Sequence, residues 1–260
     1  QHALAYAMDR TQGKTAGEEN SILGHADVRR MLLQMKADTF AARAIAAACA
    51  AAIDMHTATG DAAWNARASL LTPIAKAFGT DTGIDVAQMG IQVHGGMGFV
   101  EETGAAQFLR DVRVTAIYEG TNGIQAMDLV ARKMMDGGEA AYALIDEIEA
   151  YADKVKVHQP DFAGPVFSAA ETLRETTEWL VAQDLNDRFA GAVPYLRLFA
   201  RVLGAYFHMR AGCAEGLESP RGKLARFYIL RLLPEHASLA EHVRQGASDL
   251  DAFNTEDFAA

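Results

Sequence analysis

The stretch IYEGTNGIQ, Ile117 to Gln125, sets one carboxylate, Glu119, beside a tyrosine and just ahead of a Gly-Thr-Asn-Gly turn, with an apolar helical pattern behind it. Upstream lies a second unusual stretch, QVHGGMGF, Gln92 to Phe99, with three glycines in four positions. Glycines so placed suit a chain that turns sharply or lets its backbone approach a ligand. A mostly helical sequence has little reason to build two such junctions, and the two are best explained together.

The segments around these junctions read as helix. Residues 1–9 look like the last turns of one, followed by a polar loop from Arg10 to Asn20. From about Ala26 to Thr59 apolar residues recur every three to five positions (Val28, Met31, Leu32, Met35, Phe40, Ile45). Nine of the twelve residues from Ala41 to Ala52 are alanine, which lets a neighbouring helix come close. Gly60-Asp61 breaks this helix. A second long one runs from Ala63 to Val93, with a kink or boundary expected near Thr72 ahead of Pro73 and an interruption at Asp81–Gly83. Short helices are expected at Ala105–Arg113 and Ile124–Met135. Asp136-Gly137-Gly138 is the clearest linker signal. Beyond it, Ala140–Val157, Pro165–Gln183, Asp187–Cys213 and Lys223–Gln245 carry helical periodicity, and no strand-like alternation of useful length occurs. The expected class is all-α: a long-helix, four-helix-bundle-like domain over residues 1–136, then a second helical module over residues 137–260.

Composition narrows the function. The chain has 260 residues, half of them hydrophobic, enough for a sizeable core. A formal net charge of −10 argues against a nucleic-acid surface. The two cysteines, Cys49 and Cys213, have no metal-like spacing and read as inert buried thiols. A reducing, cytoplasmic setting and no membrane span are expected. The chain opens on QHALAYAMDR without a Met, which reads as the continuation of a longer protein.

The residues themselves offer chemistry. QVHGGMGF lacks GxGxxG spacing and follows no strand, so it is not a dinucleotide fingerprint. It can cap a helix or meet a ligand, and His94 can serve structure or binding. Tyr118 and Ile117 flank Glu119 and would partly desolvate it, raising its pKa toward that of a usable general base. Gly120 leaves room for a flat group, while Thr121 and Asn122 put donors at the start of the next helix.

The run AQMGIQVHGGMGFVEETGAAQFLRDVRVTAIYEGTNGIQ, Ala87 to Gln125, resembles the C-terminal domain of the acyl-CoA dehydrogenases. That family's pattern runs Q-x-x-G-G-x-G, then R-D-x-(R/K), then I-Y-E-G-T, matched at Gln92, Gly95, Gly96, Gly98, Arg110-Asp111, Arg113 and Ile117 to Thr121. AYAMDRTQG resembles the family's Y-A-x-x-R loop, with Arg10 in the arginine position. The strong match covers about residues 1–135. HADVRRMLLQMKA, His25 to Ala37, and the helices after Gly138 look like the larger members of the methylmercaptopropionyl-CoA dehydrogenase type.

The resemblance implies a flavoprotein that oxidises an acyl-CoA thioester to its 2,3-enoyl-CoA. Glu119 is then the catalytic base, and Tyr118 and Gly120 line the acyl pocket. Thr121 contacts FAD, Gln92 to Gly96 (with His94, Gly95 and Gly96) hold its adenine end, and Arg10 reaches its pyrophosphate across a subunit interface. A homodimer or homotetramer follows, with an electron-transfer flavoprotein as the acceptor. The family also uses an N-terminal helical and a middle β-domain, so these residues alone are expected not to turn over. The chain departs from the pattern in three places, one of them His94, which stands where an aromatic is common and can still stack. RTQG lacks the Phe of R-x-x-F-G, which removes one flavin contact, and Gly123 stands where many members carry a Gln.

Two other classes stay open. One is a damage-response relative that binds flavin and DNA, for which Arg201, Arg210, Arg221, Arg226, Arg231 and Arg244 would have to form a basic face. The other is a non-catalytic scaffold whose tail from Asp136 docks a partner.

Overall fold

The computed structural model describes residues 1–259, which among themselves contain helices and turns and no strand. Two long antiparallel helices form its spine. Helix α1 spans His2–Asp9, α2 Ala26–Thr59 and α3 Ala62–His94. The alanine run keeps α2 helical and slim: Ala37, Ala41, Ile45, Cys49 and Ala52 form its buried stripe. Gly60 closes it in the left-handed conformation (φ 70°), and the Asp61 carboxylate caps α3 by accepting from Ala63 N at 2.8 Å.

Neither expected interruption of α3 occurs. The helix runs through Pro73, which is buried in its interior, and through Asp81–Gly83. Packing outweighs the loss of one backbone bond: Leu70, Leu71, Ile74, Ala77 and Phe78 all lie in the core on either side of the proline. Gly83 is a close-approach position, since a Cβ there would sit 2.9 Å from Val112 Cγ2 on α5 (Ala105–Arg113).

The short helix α4 spans Gly96–Phe99, and α6 spans Asn122–Val130. α6 stops five residues short of the expected Met135, and a 3-10 turn at Arg132–Met134 follows. Helices α7 (Glu139–Lys156), α8 (Pro160–Ala182), α9 (Leu185–Ala190), α10 (Ala192–Glu215), α11 (Pro220–Arg231), α12 (Glu235–Arg244) and α13 (Ser248–Asp251) complete the chain. Two expected helices are therefore each two. Gly191 separates α9 from α10, and the turn ending at Pro234 separates α11 from α12. Helix α8 starts earlier than expected because Pro160 is well suited to a first helical position.

The residues after Asp136 do not build a core of their own. One apolar cluster runs from Ala37 on α2 and Ile74 on α3 through Leu129 on α6 to Ile145, Leu173, Phe199 and Val243. Its axis is α10, in which fifteen of 24 residues are buried. Gly204 lets α10 cross α2 and α11, because a Cβ there would lie 2.2 Å from Tyr228 Oη and 2.9 Å from Ala41 Cβ. Gly204→Ala is expected to lower stability by about 1–3 kcal/mol, read as a fall in the urea midpoint at unchanged m-value. A second, smaller cluster (Ala3, Ala7, Ile22, Met31, Val93) fixes α1 to the C-terminal end of α3.

One buried group makes folding acid-sensitive. His208 lies between Phe40 and Tyr228, with ring centroids 4.5 Å away on each side, and Nε2 is 3.1 Å from Ala37 O. Burial pushes its imidazole down to about 4. The unfolded chain takes up this proton near the ordinary histidine value, so stability falls as pH drops from about 6.5 toward 4, by about 3 kcal/mol in all. A melting-temperature profile against pH should lose that acid limb in His208→Gln.

Cys49 is buried as expected, but Cys213 is exposed near the end of α10, beyond the part of that helix that faces the core. No helix among the described residues is long and apolar enough to cross a membrane.

Candidate functional site

The turn from Ile117 to Thr121 is where local structure is most constrained. Glu119 has φ 54°, and it is the one residue other than glycine with positive φ among the described residues. A glutamate gains nothing from that conformation, which costs on the order of 1–3 kcal/mol and persists only where the surroundings impose it. Gly120 follows at φ 83°, so two consecutive residues are left-handed. Thr121 then caps α6, its hydroxyl accepting from Ile124 N at 3.3 Å.

The surroundings that impose the turn come from α3 and α6. Lys76 Nζ donates to Gly120 O at 2.8 Å and to Asn122 Oδ1 at 2.9 Å. The Asn122 amide nitrogen donates to Asp81 Oδ1 at 2.7 Å and to Thr80 Oγ1 at 2.9 Å. Gln125 Nε2 donates to Glu119 O at 3.2 Å. Lys76, Thr80, Asp81 and Gln125 were not among the residues singled out from sequence. For the three on α3 the signal is a polar stripe at i, i+4 and i+5 from Lys76 on one face of the helix.

The carboxylate itself faces outward. Glu119, Gly120 and Thr121 are exposed, and Ile117 and Tyr118 are 53% and 51% exposed. The desolvation expected from these two neighbours is therefore not supplied by them, because both side chains point away from the core. The site is an open ledge with a fixed backbone.

The glycine stretch does not meet this ledge. Eighteen residues of α3, from Lys76 to His94, separate them, roughly 27 Å along the helix axis. Gly95 ends α3 at φ 60°, and a Cβ on Gly95 or Gly96 would meet nothing within 4 Å, whereas one on Gly98 would lie 2.3 Å from Ile91 O. So Gly98 serves packing, and Gly95 and Gly96 present bare backbone to solvent. Gln92 is exposed beside them, and His94 is buried. His94 stacks on Tyr6 with centroids 4.5 Å apart, and its Nδ1 lies 2.7 Å from Gly90 O. That stack brings α1 to the end of α3 and places Arg10, exposed and bonded through Nη2 to Gln12 Oε1 at 3.0 Å, one turn beyond Tyr6. Arg10 and Gln92–Gly96 thus belong to one end of the molecule, and Tyr118–Thr121 to another.

This donor set fits the edge of a flavin dinucleotide. The exposed Arg10 guanidinium suits a pyrophosphate, and the bare Gly95-Gly96 backbone suits a flat ring. Among the described residues no group of histidine, cysteine and carboxylate side chains could hold a metal ion. Of the six arginines a basic face would need, Arg201 is buried, and Arg221 and Arg244 have acidic partners in Glu215, Glu175 and Glu241.

Comparison with known proteins identifies the family. The family profile described as "Acyl-CoA dehydrogenase, C-terminal domain" matches residues 1–135, and one described as "Acetyl-CoA dehydrogenase C-terminal like" matches residues 144–253. The 3-methylmercaptopropionyl-CoA dehydrogenase of Ruegeria pomeroyi is 38% identical over 87% of this chain and 41% of its own length. A butyryl-CoA dehydrogenase of Syntrophomonas wolfei is 30% identical over 97% of this chain and 45% of its own. The chain thus spans less than half the length of these relatives. Among solved structures, an acyl-CoA dehydrogenase from Bacillus anthracis complexed with FAD superposes with TM-score 0.72 at 18% identity, over 93% of this chain and 45% of that one. Caenorhabditis elegans ACDH-11 in complex with C11-CoA gives the same score and identity over 88% and 39%. With its profile matched over more than half its length and its helices arranged as in these structures, the chain belongs to the acyl-CoA dehydrogenase family.

Proposed function

We propose that this chain carries the catalytic base of an FAD-dependent acyl-CoA dehydrogenase that converts an acyl-CoA thioester to its 2,3-enoyl-CoA. The observation that carries the reading is the strained, braced backbone of Glu119: a left-handed glutamate on an exposed ledge is explained by a task for its carboxylate. Glu119 takes the proton from the carbon α to the thioester carbonyl. That carbon is a weak acid unless the carbonyl oxygen is held as charge develops on it, and the Glu119 backbone N–H donates there. Tyr118 and Gly120 border the acyl chain. Bound FAD would supply the acceptor for the hydride that leaves the β carbon.

Thr121 would hold the flavin, Arg10 its pyrophosphate, and Gln92, Gly95 and Gly96 its adenine end, with His94, packed on Tyr6, behind them. The ledge and the glycine end lie far apart on one chain, so a flavin touching both would be held by residues of different subunits, in a homodimer or homotetramer. Exposed apolar side chains around α5 favour such a contact, Phe99 at 82% and Phe108 at 49%. An electron-transfer flavoprotein receives the electrons, in the cytoplasm. We read residues 1–136 and 137–260 as two helical modules that share one core. Residues beyond this chain supply the cover that Glu119 lacks here.

The test is an anaerobic titration of the chain, extended to the length of its relatives, with a panel of acyl-CoA thioesters while flavin absorbance is followed. Bleaching by one thioester supports the reading and identifies the acyl class. A bound flavin that no thioester bleaches overturns it.

A further inference from the structure

The Glu119 ledge is tied to the C-terminal helices through a small cavity. This cavity, of about 70 Å³, lies between α3, α6 and α10 and is lined by Asp38, Asp81, Asp85, Asn122, Arg197 and Arg201. On its α3 and α6 side, Asp81 accepts from the Asn122 amide that also holds Lys76 and, through it, Gly120. On its α10 side stand two guanidiniums. Arg201 pairs with Asp38 at 2.5 Å and Glu235 at 2.8 Å, and Arg197 with Glu235 at 2.7 Å. Three carboxylates from α2 and α3 therefore crowd the cavity, and the two guanidiniums that line it among the described residues belong to α10. Loss of water contact raises the Asp85 carboxyl; Arg197 opposes that and Asp81 adds to it.

We propose that Asn122 is the positioning residue for Glu119, and that α10 sets this position by neutralising the carboxylates behind Asn122 with Arg197 and Arg201. The amide works in both directions at once: its oxygen holds the lysine that fixes the Gly120 carbonyl, and its nitrogen is held by Asp81. Without the α10 cations, Asp81 faces Asp85 and Asp38 unscreened, and its hold on Asn122 weakens. The helices after Gly138 thereby govern the geometry of the catalytic turn. This rests on the dehydrogenase reading for the meaning of Glu119, but the brace can be measured without flavin or thioester.

The experiment is backbone amide relaxation by NMR on the whole chain, comparing wild type with Asn122→Ala, Lys76→Met, Lys76→Arg and Arg197→Leu. In wild type the Glu119 and Gly120 amides should be rigid, with order parameters about 0.85, and in Asn122→Ala and Lys76→Met they should fall below about 0.6. Lys76→Arg should keep them rigid, and Arg197→Leu should lower them while unfolding midpoints move little. Wild-type values already below about 0.6, or unchanged values in Asn122→Ala, overturn the brace. Unchanged values in Arg197→Leu overturn the part assigned to α10. If Asn122→Ala does not fold, Lys76→Met carries the same two outcomes. In the extended chain Asn122→Ala should lower kcat per bound flavin about 10- to 100-fold with KM within about twofold, and counting only flavin-loaded enzyme removes the fall in apparent kcat that unfolded protein alone would cause. Absence of flavin bleaching by every thioester would remove the dehydrogenase reading and leave the NMR result standing.

Discussion

Glu119→Gln in the extended chain should slow flavin reduction by acyl-CoA by about 10³-fold or more while FAD stays bound. The amide keeps the size and the backbone N–H of residue 119, so oxyanion stabilisation persists and only proton removal is lost. Loss of a positioned base alone is worth on the order of 10²–10⁴-fold. The effect belongs to kcat, with little change in thioester affinity, because the proton leaves only in the transition state. Glu119→Gly sharpens the point. Glycine adopts φ 54° without penalty, so this variant should be as inactive as Glu119→Gln yet more stable than wild type by about 1 kcal/mol. Thermal melts with parallel stopped-flow traces read both quantities. A stable, inactive Gly variant identifies the strain at Glu119 as a cost tolerated for activity; an active one removes Glu119 from the chemistry.

The second large effect is structural. Arg201 is 4% exposed at the crossing of α2, α10, α11 and α12, paired with Asp38 and Glu235 and 3.4 Å from Tyr228 Oη. Arg201→Met leaves the Asp38 carboxylate, itself 5% exposed, without its cation. Breaking one side of a buried pair costs about 3–5 kcal/mol, so the melting temperature should fall on the order of 10 °C. The double variant Arg201→Met/Asp38→Leu should recover most of the loss, because both charges then leave together. Urea unfolding of wild type, Arg201→Met, Asp38→Leu and the double variant measures the coupling. A loss below about 1 kcal/mol in Arg201→Met would show that the cluster does not join the two halves.

Helix content and most helix positions could be read from apolar periodicity, and α5 has the bounds expected of it. Errors came where a local rule met tertiary packing. Pro73 stays inside α3 because the core holds the helix on both sides of it, and Gly83 answers to α5 rather than to the backbone of α3. Gly191 and Pro234, by contrast, end helices that periodicity alone carried through. At the site, the residue types of IYEGTNG and QVHGGMG pointed to two special turns. What periodicity could not give was the left-handed Glu119, since that conformation is imposed by Lys76, Asn122 and Asp81, whose contacts span 41 to 46 positions of sequence. The openness of the ledge was equally hidden: Tyr118 and Ile117 are apolar neighbours in sequence that turn outward in space.

The central claim is that Glu119 removes the α proton in the step that reduces the flavin. The most direct measurement is the rate of anaerobic flavin reduction with a thioester deuterated at the α carbon, against the same thioester carrying hydrogen. Reduction should be several-fold slower with the α-deuterated compound, and lost altogether in Glu119→Gln. Equal rates with the two thioesters, together with unimpaired reduction in Glu119→Gln, would contradict it.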